Sequence, residues 1–280
     1  MSNALETSFE FFPPRTPVGQ EKLASLCDRL VAYDPTFFSV TYGAGASVRE
    51  RTLDAVIRAR RGNVDAAPHL SCIGSDRENL AELLATYRRE GVRRIVALRG
   101  DVPSGEISVG EFRYANELIE FIREETGDAF ELIAAAYPEM HPQAPNYETD
   151  LRYFVNKMQA GADKAITQYF YDAEAYFHFV EKAQAQGIDK PIIPGIMPIV
   201  DADKLRRFSA TCGASIPRWI DKQLDAYAMD PQSLQAFGQE VVTRLCERLI
   251  EGGAPGLHFY TLNQAEPTLA VLDNLNVNRA

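Results

Sequence analysis

Two rhythms of apolar and polar positions follow one another along the chain with little interruption. Short runs rich in β-branched and aromatic residues recur, each followed by a turn and then by ten or more residues with helical spacing. The runs predict strands at Ser8–Pro13, Phe37–Tyr42, Ala67–Ile73, Arg94–Arg99, Glu131–Tyr137, Lys164–Phe170, Pro191–Met197 and Leu257–Leu262. Helices are predicted over Gly19–Tyr33, Val48–Gly62, Asp76–Glu90, Glu111–Thr126, Tyr147–Ala160, Ala173–Gly187 and Ala202–Thr211, with a last one at Ala265–Leu275. Ser47–Glu50 and Ser75–Glu78 carry the Ser-x-x-Glu spacing of a capping box, in which the two side chains satisfy orphan amide groups reciprocally. Gly62, Gly91, Gly161 and Gly187 stand where helices should stop.

Eight strand–helix units without a Pro- or Ser-rich linker favour an α/β fold closed as a (β/α)8 TIM barrel. Extra helical segments near Pro217–Ala228 and Pro231–Glu251 read as elaboration after the seventh strand. The expectation is one catalytic barrel over residues 1–280, with no regulatory domain. Composition narrows the class. With 46% hydrophobic and 24% charged residues the chain suits a soluble globular protein. A net charge of −10 argues against nucleic acid or an anionic membrane as partner. No run approaches the ~20 apolar residues of a membrane span, and the N-terminus lacks a secretory pattern. Cys27, Cys72, Cys212 and Cys246 are scattered, without metal-type spacing, which suits free thiols in a cytoplasmic protein.

In such a barrel the chemistry sits at the C-terminal strand ends and the loops that follow. Alternation along Ser8-Phe9-Glu10-Phe11 places Glu10 opposite two aromatic residues. If that face is the interior, desolvation should raise the carboxyl pKa and make it a candidate general acid; a structural pairing with Arg15 or another base is the competing reading. Thr41-Tyr42-Gly43-Ala44-Gly45 only partly matches a dinucleotide loop and reads as a flexible strand–helix connection. The fourth strand ends in Arg99-Gly100-Asp101, suited either to a local ion pair or to an anion-binding Arg beside a tuning carboxylate. Ala134–Ala136 leave room for something flat, which Tyr137 and His141 are placed to line, and Asp150, Tyr153 and Lys157 share a helical face. Gln168 is an amide inside an apolar strand and requires partners. Aromatics and amides around small-residue strands suit a planar organic cofactor better than a metal.

These same segments resemble methylenetetrahydrofolate reductases. The resemblance runs from Ser8 to Leu275 and rests on SFEFFPPR, FFSVTYGA, AAPHLSCI, IVALRGD, AAAYPEMHP, GADKAITQYFYD, IIPGIMPI and HFYTLNQAE in the family's order. It implies reduction of bound FAD by NADH or NADPH, then hydride transfer to 5,10-methylenetetrahydrofolate, giving 5-methyltetrahydrofolate. By the same resemblance Glu10 is the general acid that protonates N10, and Asp101 the carboxylate near flavin and folate. FAD contacts carry over to Thr41, His69, Arg99, Gly100, Asp101, Tyr114, Ala115, Tyr137, His141, Asp150 and Lys157. Folate contacts carry over to Gln168, Phe208 and Gln264. Tyr153, Asn156, Lys204 and Gln264 depart from bacterial relatives in the phosphate-side and folate regions. The resemblance further implies self-association into a homo-oligomer and no adenosylmethionine control within this chain. The competing readings are a flavin-free folate-binding barrel, such as a methyltransferase partner, and a catalytically silent scaffold.

Overall fold

Eight parallel strands close on themselves in sequence order in the computed structural model, which describes residues 5–41, 46–100 and 110–277. The strands are β1 (Glu6–Phe11), β2 (Phe37–Val40), β3 (Asp65–Ser71), β4 (Arg94–Leu98), β5 (Glu131–Ala136), β6 (Lys164–Tyr169), β7 (Ile192–Ile196) and β8 (Gly256–Tyr260). Helices α1 (Pro17–Leu30), α2 (Ala46–Ala59), α3 (Arg77–Arg89), α4 (Ala115–Thr126), α5 (Tyr147–Gln159) and α6 (Ala173–Gln184) each link one strand to the next. Between β7 and β8 run α7 (Ala202–Cys212), α8 (Arg218–Ala226) and α9 (Pro231–Glu251); α10 (Ala265–Asn274) follows β8. The expected (β/α)8 barrel with extra helices after the seventh strand is the fold observed.

Alternation divides the apolar residues into two cores. Phe9, Phe11, Phe38, Leu70, Ile95, Leu132 and Phe259 face outward into the layer shared with the helices. Phe37, Ala67, Val96, Ile133, Ile166 and Ile193 form a separate cluster inside the barrel. One side chain from each of six strands thus fills the middle of the barrel, so the interior is a packed core and not a pore.

Several boundaries differ from the sequence expectation for identifiable reasons. β1 stops at Phe11: Pro13 and Pro14 have no N–H to continue a ladder, and the Phe12 backbone bonds to a side chain instead. Asn263 Oδ1 accepts from Phe12 N–H (2.9 Å) while its Nδ2 donates to Phe12 C=O (3.0 Å). The expected Ser75 cap is replaced by Asp76, whose carboxylate accepts from Asn79 N–H at 2.8 Å. Helix α2 begins at Ala46, ahead of the expected Ser47 cap, and the side chains of 46–50 lie outside the described residues. Helix α4 begins at Ala115, four residues later than expected at Glu111. Gly62, Gly91, Gly161 and Gly187 all have positive φ, as stop positions should.

Candidate active site

At the C-terminal end of the barrel the middle apolar layer gives way to polar residues. β1 brings Glu10 inward with its side chain 13% exposed. β3 supplies His69, whose Nε2 lies 3.2 Å from Glu10 Oε2. β8 supplies His258, whose Nε2 lies 3.5 Å from the same oxygen. Glu10 therefore meets two imidazoles, so the bases it pairs with are His69 and His258 and not Arg15.

This arrangement reverses the expected direction of the Glu10 pKa. Burial alone pushes the carboxyl up, but His69 and His258 outweigh it and hold the group down at about 2. Burial pulls the His258 imidazole below its ordinary range against the opposing influence of Glu10. The Tyr260 phenol, paired in register with Glu10, is driven well up, first by burial and then by the Glu10 charge. Its hydroxyl donates to Thr167 C=O at 2.7 Å. Gly195 makes that possible, because a Cβ there would overlap both Thr167 O and the Tyr260 ring.

The end of β8 fastens the end of β1. Thr261 Oγ1 donates to Glu10 C=O at 2.7 Å, next to the Asn263 clamp on Phe12. Leu262 and Asn263 adopt positive φ (51° and 56°) to present that clamp, a conformation Asn tolerates better than branched residues.

A second group of residues surrounds the ends of β4 and β5. Arg99 donates to Gln143 Oε1 and to Gly100 C=O. Gly100 has φ +85°, and a Cβ there would overlap Ser71 Oγ, itself bonded to Arg99 C=O at 2.8 Å. Tyr137 meets His141 edge-on, centroids 4.5 Å apart. His141 is anchored by its N–H to Asp150 Oδ2 (2.8 Å), and its Nδ1 accepts from Gln143 N–H (3.0 Å). Lys157 turns inward to donate to Ala135 C=O; burial pulls its ammonium pKa down to about 8, with Asp150 opposing. Tyr114, the N-cap residue of α4, and Tyr153 on α5 are exposed and nearly parallel, centroids 6.5 Å apart at 24°.

Gln168 is half-buried where the β6–β7 register shifts, and its Oε1 accepts from Tyr169 N–H at 3.0 Å. It lines a depression of about 170 Å³ with Tyr137, Met140, Tyr169, Cys212 and Gly213. Thr41 follows β2, half-buried, and its carbonyl accepts from Thr52 Oγ1 at 3.3 Å. Ala115 opens α4. Phe208 on α7 and Gln264 at the N-cap of α10 are exposed. Asp101 lies outside the described residues.

Sequence comparisons identify the family. The methylenetetrahydrofolate reductase family profile matches residues 2–276. The 5,10-methylenetetrahydrofolate reductase of Pectobacterium carotovorum subsp. carotovorum is 40% identical over 281 residues, covering 99% of this chain and 92% of that protein. The chain belongs to the methylenetetrahydrofolate reductase family. The Escherichia coli (strain K12) 5,10-methylenetetrahydrofolate reductase is 38% identical, covering 98% and 91% of the two chains. Methylenetetrahydrofolate reductase (NADH) 1 of Arabidopsis thaliana is 37% identical, and there the match covers 96% of this chain but 48% of the relative. An uncharacterized Clostridium thermocellum protein that binds two copies of 5-methyl-5,6,7,8-tetrahydrofolic acid shares the fold, with a TM-score of 0.65 at 14% identity over 97% and 94% of the chains.

Within this methylenetetrahydrofolate reductase fold, Glu10 and His69 are in direct contact, and Tyr137, His141 and Asp150 form one connected group beside Arg99. Phe208 lies on α7, and Gln264, the N-cap residue of α10, donates its N–H to Thr261 C=O at 2.8 Å. Ser8, His258, Thr261 and Asn263 were not singled out by sequence reasoning. Alternation along Leu257-His258-Phe259-Tyr260 carried the signal: His258 and Tyr260 oppose Phe259, as Glu10 opposes Phe9.

Proposed function

We propose that this chain is an FAD-dependent reductase that converts 5,10-methylenetetrahydrofolate to 5-methyltetrahydrofolate, with NADH or NADPH as donor and the two substrates entering in turn. Membership of the family supports the overall reaction. The observation that carries the residue assignment is Glu10, a carboxylate inside the barrel mouth and held by two imidazoles.

The side chains present fit a flavin dinucleotide. Gly100 lets the chain turn at φ +85° directly against Ser71, where a Cβ would overlap Ser71 Oγ, and so sets the backbone path beside Arg99. Arg99 and the inward-turned Lys157 supply cationic character, and the exposed Tyr114–Tyr153 pair offers a stacking surface. Thr41, His69, Arg99, Gly100, Tyr114, Ala115, Tyr137, His141, Asp150 and Lys157 would hold FAD, with Asp101 completing the set. When bound, FAD supplies hydride carriage between the nicotinamide donor and the folate.

The chain's own task is to bind folate, exclude water and deliver a proton at N10 so that the imidazolidine ring opens to an iminium ion. Glu10 performs the delivery. In the free protein two imidazoles hold it as an anion; it takes up a proton from solvent as a flat substrate covers the mouth, because loss of its remaining water favours the protonated acid, and it then passes that proton to N10. Gln168 addresses the pterin: Tyr169 N–H occupies its carbonyl oxygen, which leaves the NH2 to donate. Phe208 and Gln264 contribute from the rim, where the exposed Phe208 ring provides a stacking face.

The test is spectroscopic. Purified protein should show flavin absorbance that bleaches anaerobically under NADH or NADPH and returns on adding 5,10-methylenetetrahydrofolate. Protein that is colourless and gains no absorbance with FAD would overturn the reading. Bleaching without recovery would remove the folate step.

A further inference from the structure

β6 carries one residue too many where it passes β7. Ile166 pairs with Ile193, but the next pair is Tyr169 with Gly195, so three steps along β6 are matched by two along β7. The residues inside this bulge are Thr167 and Gln168. Continued from Ile166, the parallel register would bring Gly195 N–H to Thr167 C=O. Side chains meet both groups instead. Gly195 N–H donates to Thr167 Oγ1 at 2.9 Å, and Thr167 C=O accepts from the Tyr260 hydroxyl at 2.7 Å.

Tyr260 reaches that carbonyl across an entire strand. It stands on β8, whose register pairs His258 with Gly195, and β7 lies between β8 and β6. The crossing passes over Gly195, where a Cβ would stand 2.2 Å from Thr167 O and 2.6 Å from the Tyr260 ring. Thr167 C=O and Gln168 N share one planar peptide unit, so a bond that holds the oxygen also fixes the direction in which Gln168 leaves the strand. Bulges re-aim a side chain in this way and leave a ladder bond that something else must replace. We infer that Tyr260 and Thr167 are positioning residues for Gln168: their side chains replace the ladder bond lost at the bulge and thereby aim the amide at the pterin. The inference deepens the proposed role of Gln168 as a folate contact and rests on it.

Gln168 is held at both ends, its backbone by the bond to Tyr260 and its Oε1 by Tyr169 N–H at 3.0 Å. The bulge also sets Tyr169, whose hydroxyl lies 3.0 Å from Ser209 Oγ on α7, next to Phe208. Thr167 is 0% exposed, so no solvent stands ready to replace the Tyr260 hydroxyl. Removing that hydroxyl leaves a buried carbonyl unpaired. The peptide relieves this by rotating back toward the ladder, and Gln168 turns with it.

The protein as purified should be titrated calorimetrically with 5-methyltetrahydrofolate. Hydrogen exchange at the Tyr169 amide should be followed after 15N-tyrosine labelling, with that resonance identified by its loss in Y169F. Y260F keeps the ring and removes the hydroxyl; it should weaken folate binding at least about fivefold and speed Tyr169 exchange at least about tenfold. T167V, which takes the acceptor from Gly195 N–H, should change both in the same direction, and T167S should restore wild-type behaviour. Because Tyr260 acts through Gln168, Y260F/Q168A should bind folate within about twofold of Q168A, whereas a merely structural role would multiply the two losses. Wild-type affinity or wild-type exchange in Y260F, or multiplied losses in the double variant, would overturn the inference. Circular dichroism identifies any misfolded variant; if Y260F does not fold, wild-type exchange in T167V overturns it. Wild-type protein that binds no 5-methyltetrahydrofolate would sink the functional reading, while faster Tyr169 exchange in Y260F would leave the positioning role in place.

Discussion

The two ends of the barrel handle buried charge in opposite ways. At the N-terminal end Lys164 bonds Glu131 at 2.8 Å and Glu6 at 3.3 Å, while Arg94 bonds Glu131 at 2.6 Å and Asp65 at 3.3 Å. Arg60 and Arg93 approach Asp65 as well, and Arg94 lies over the Phe37 ring that begins the inner core. Carboxylates there are matched by permanent cations, so the charges are compensated within the protein. At the C-terminal end, among the described residues, Glu10 is matched by two imidazoles, whose charge depends on protonation. One end is built to keep its protonation state, whereas the other has groups able to change theirs.

Breaking the lower end should affect stability most. Asp65→Leu leaves Arg94 and Arg60 without their buried acceptor and should cost about 3–5 kcal/mol, read as a lower midpoint in urea unfolding, with per-molecule activity near wild type. Gly100→Ala acts at the upper end: its positive φ and the overlap with Ser71 should cost about 1–3 kcal/mol, and bound flavin per chain should fall. Unchanged flavin content would remove Gly100 from the cradle. Gln168→Ala should weaken folate binding roughly tenfold, about 1.4 kcal/mol, while flavin content stays near normal; loss of flavin would reassign the residue. The last effect is confined to low pH and concerns acid stability. Because the folded Glu10 pKa is depressed to about 2 from 4.5, its contribution is complete above about pH 4.5 and disappears as pH falls toward 2. E10Q should therefore flatten the stability–pH curve in that window, and a parallel curve would show that Glu10 is not held as an anion.

How much of this was legible in the sequence depends on how far apart the interacting residues are. The eight strand–helix units that favour a closed barrel, and the placement of Glu10 opposite Phe9 and Phe11, follow from local periodicity, which requires only neighbours in the chain. The direction of the Glu10 pKa does not, because burial is local but the two imidazoles arrive from β3 and β8. The β1 boundary was misplaced for a similar reason: Asn263, at the far end of the chain, takes the hydrogen bonds that a longer strand would have made. His258 was within reach, since the alternation applied to Glu10 also turns it inward. Gln168 was read as an amide needing partners, and the bond it accepts from its neighbouring Tyr169 N–H arises where the strand register shifts, which composition does not report.

The central claim is that Glu10 delivers the proton needed by folate and no other part of the cycle. Anaerobic stopped-flow measurement of the two half-reactions in Glu10→Gln tests it most directly. Flavin reduction by NADH or NADPH should proceed within a few-fold of wild type, whereas reoxidation by 5,10-methylenetetrahydrofolate should slow by about 10²–10⁴-fold. Equal losses in both half-reactions, or reoxidation at the wild-type rate, would contradict the account.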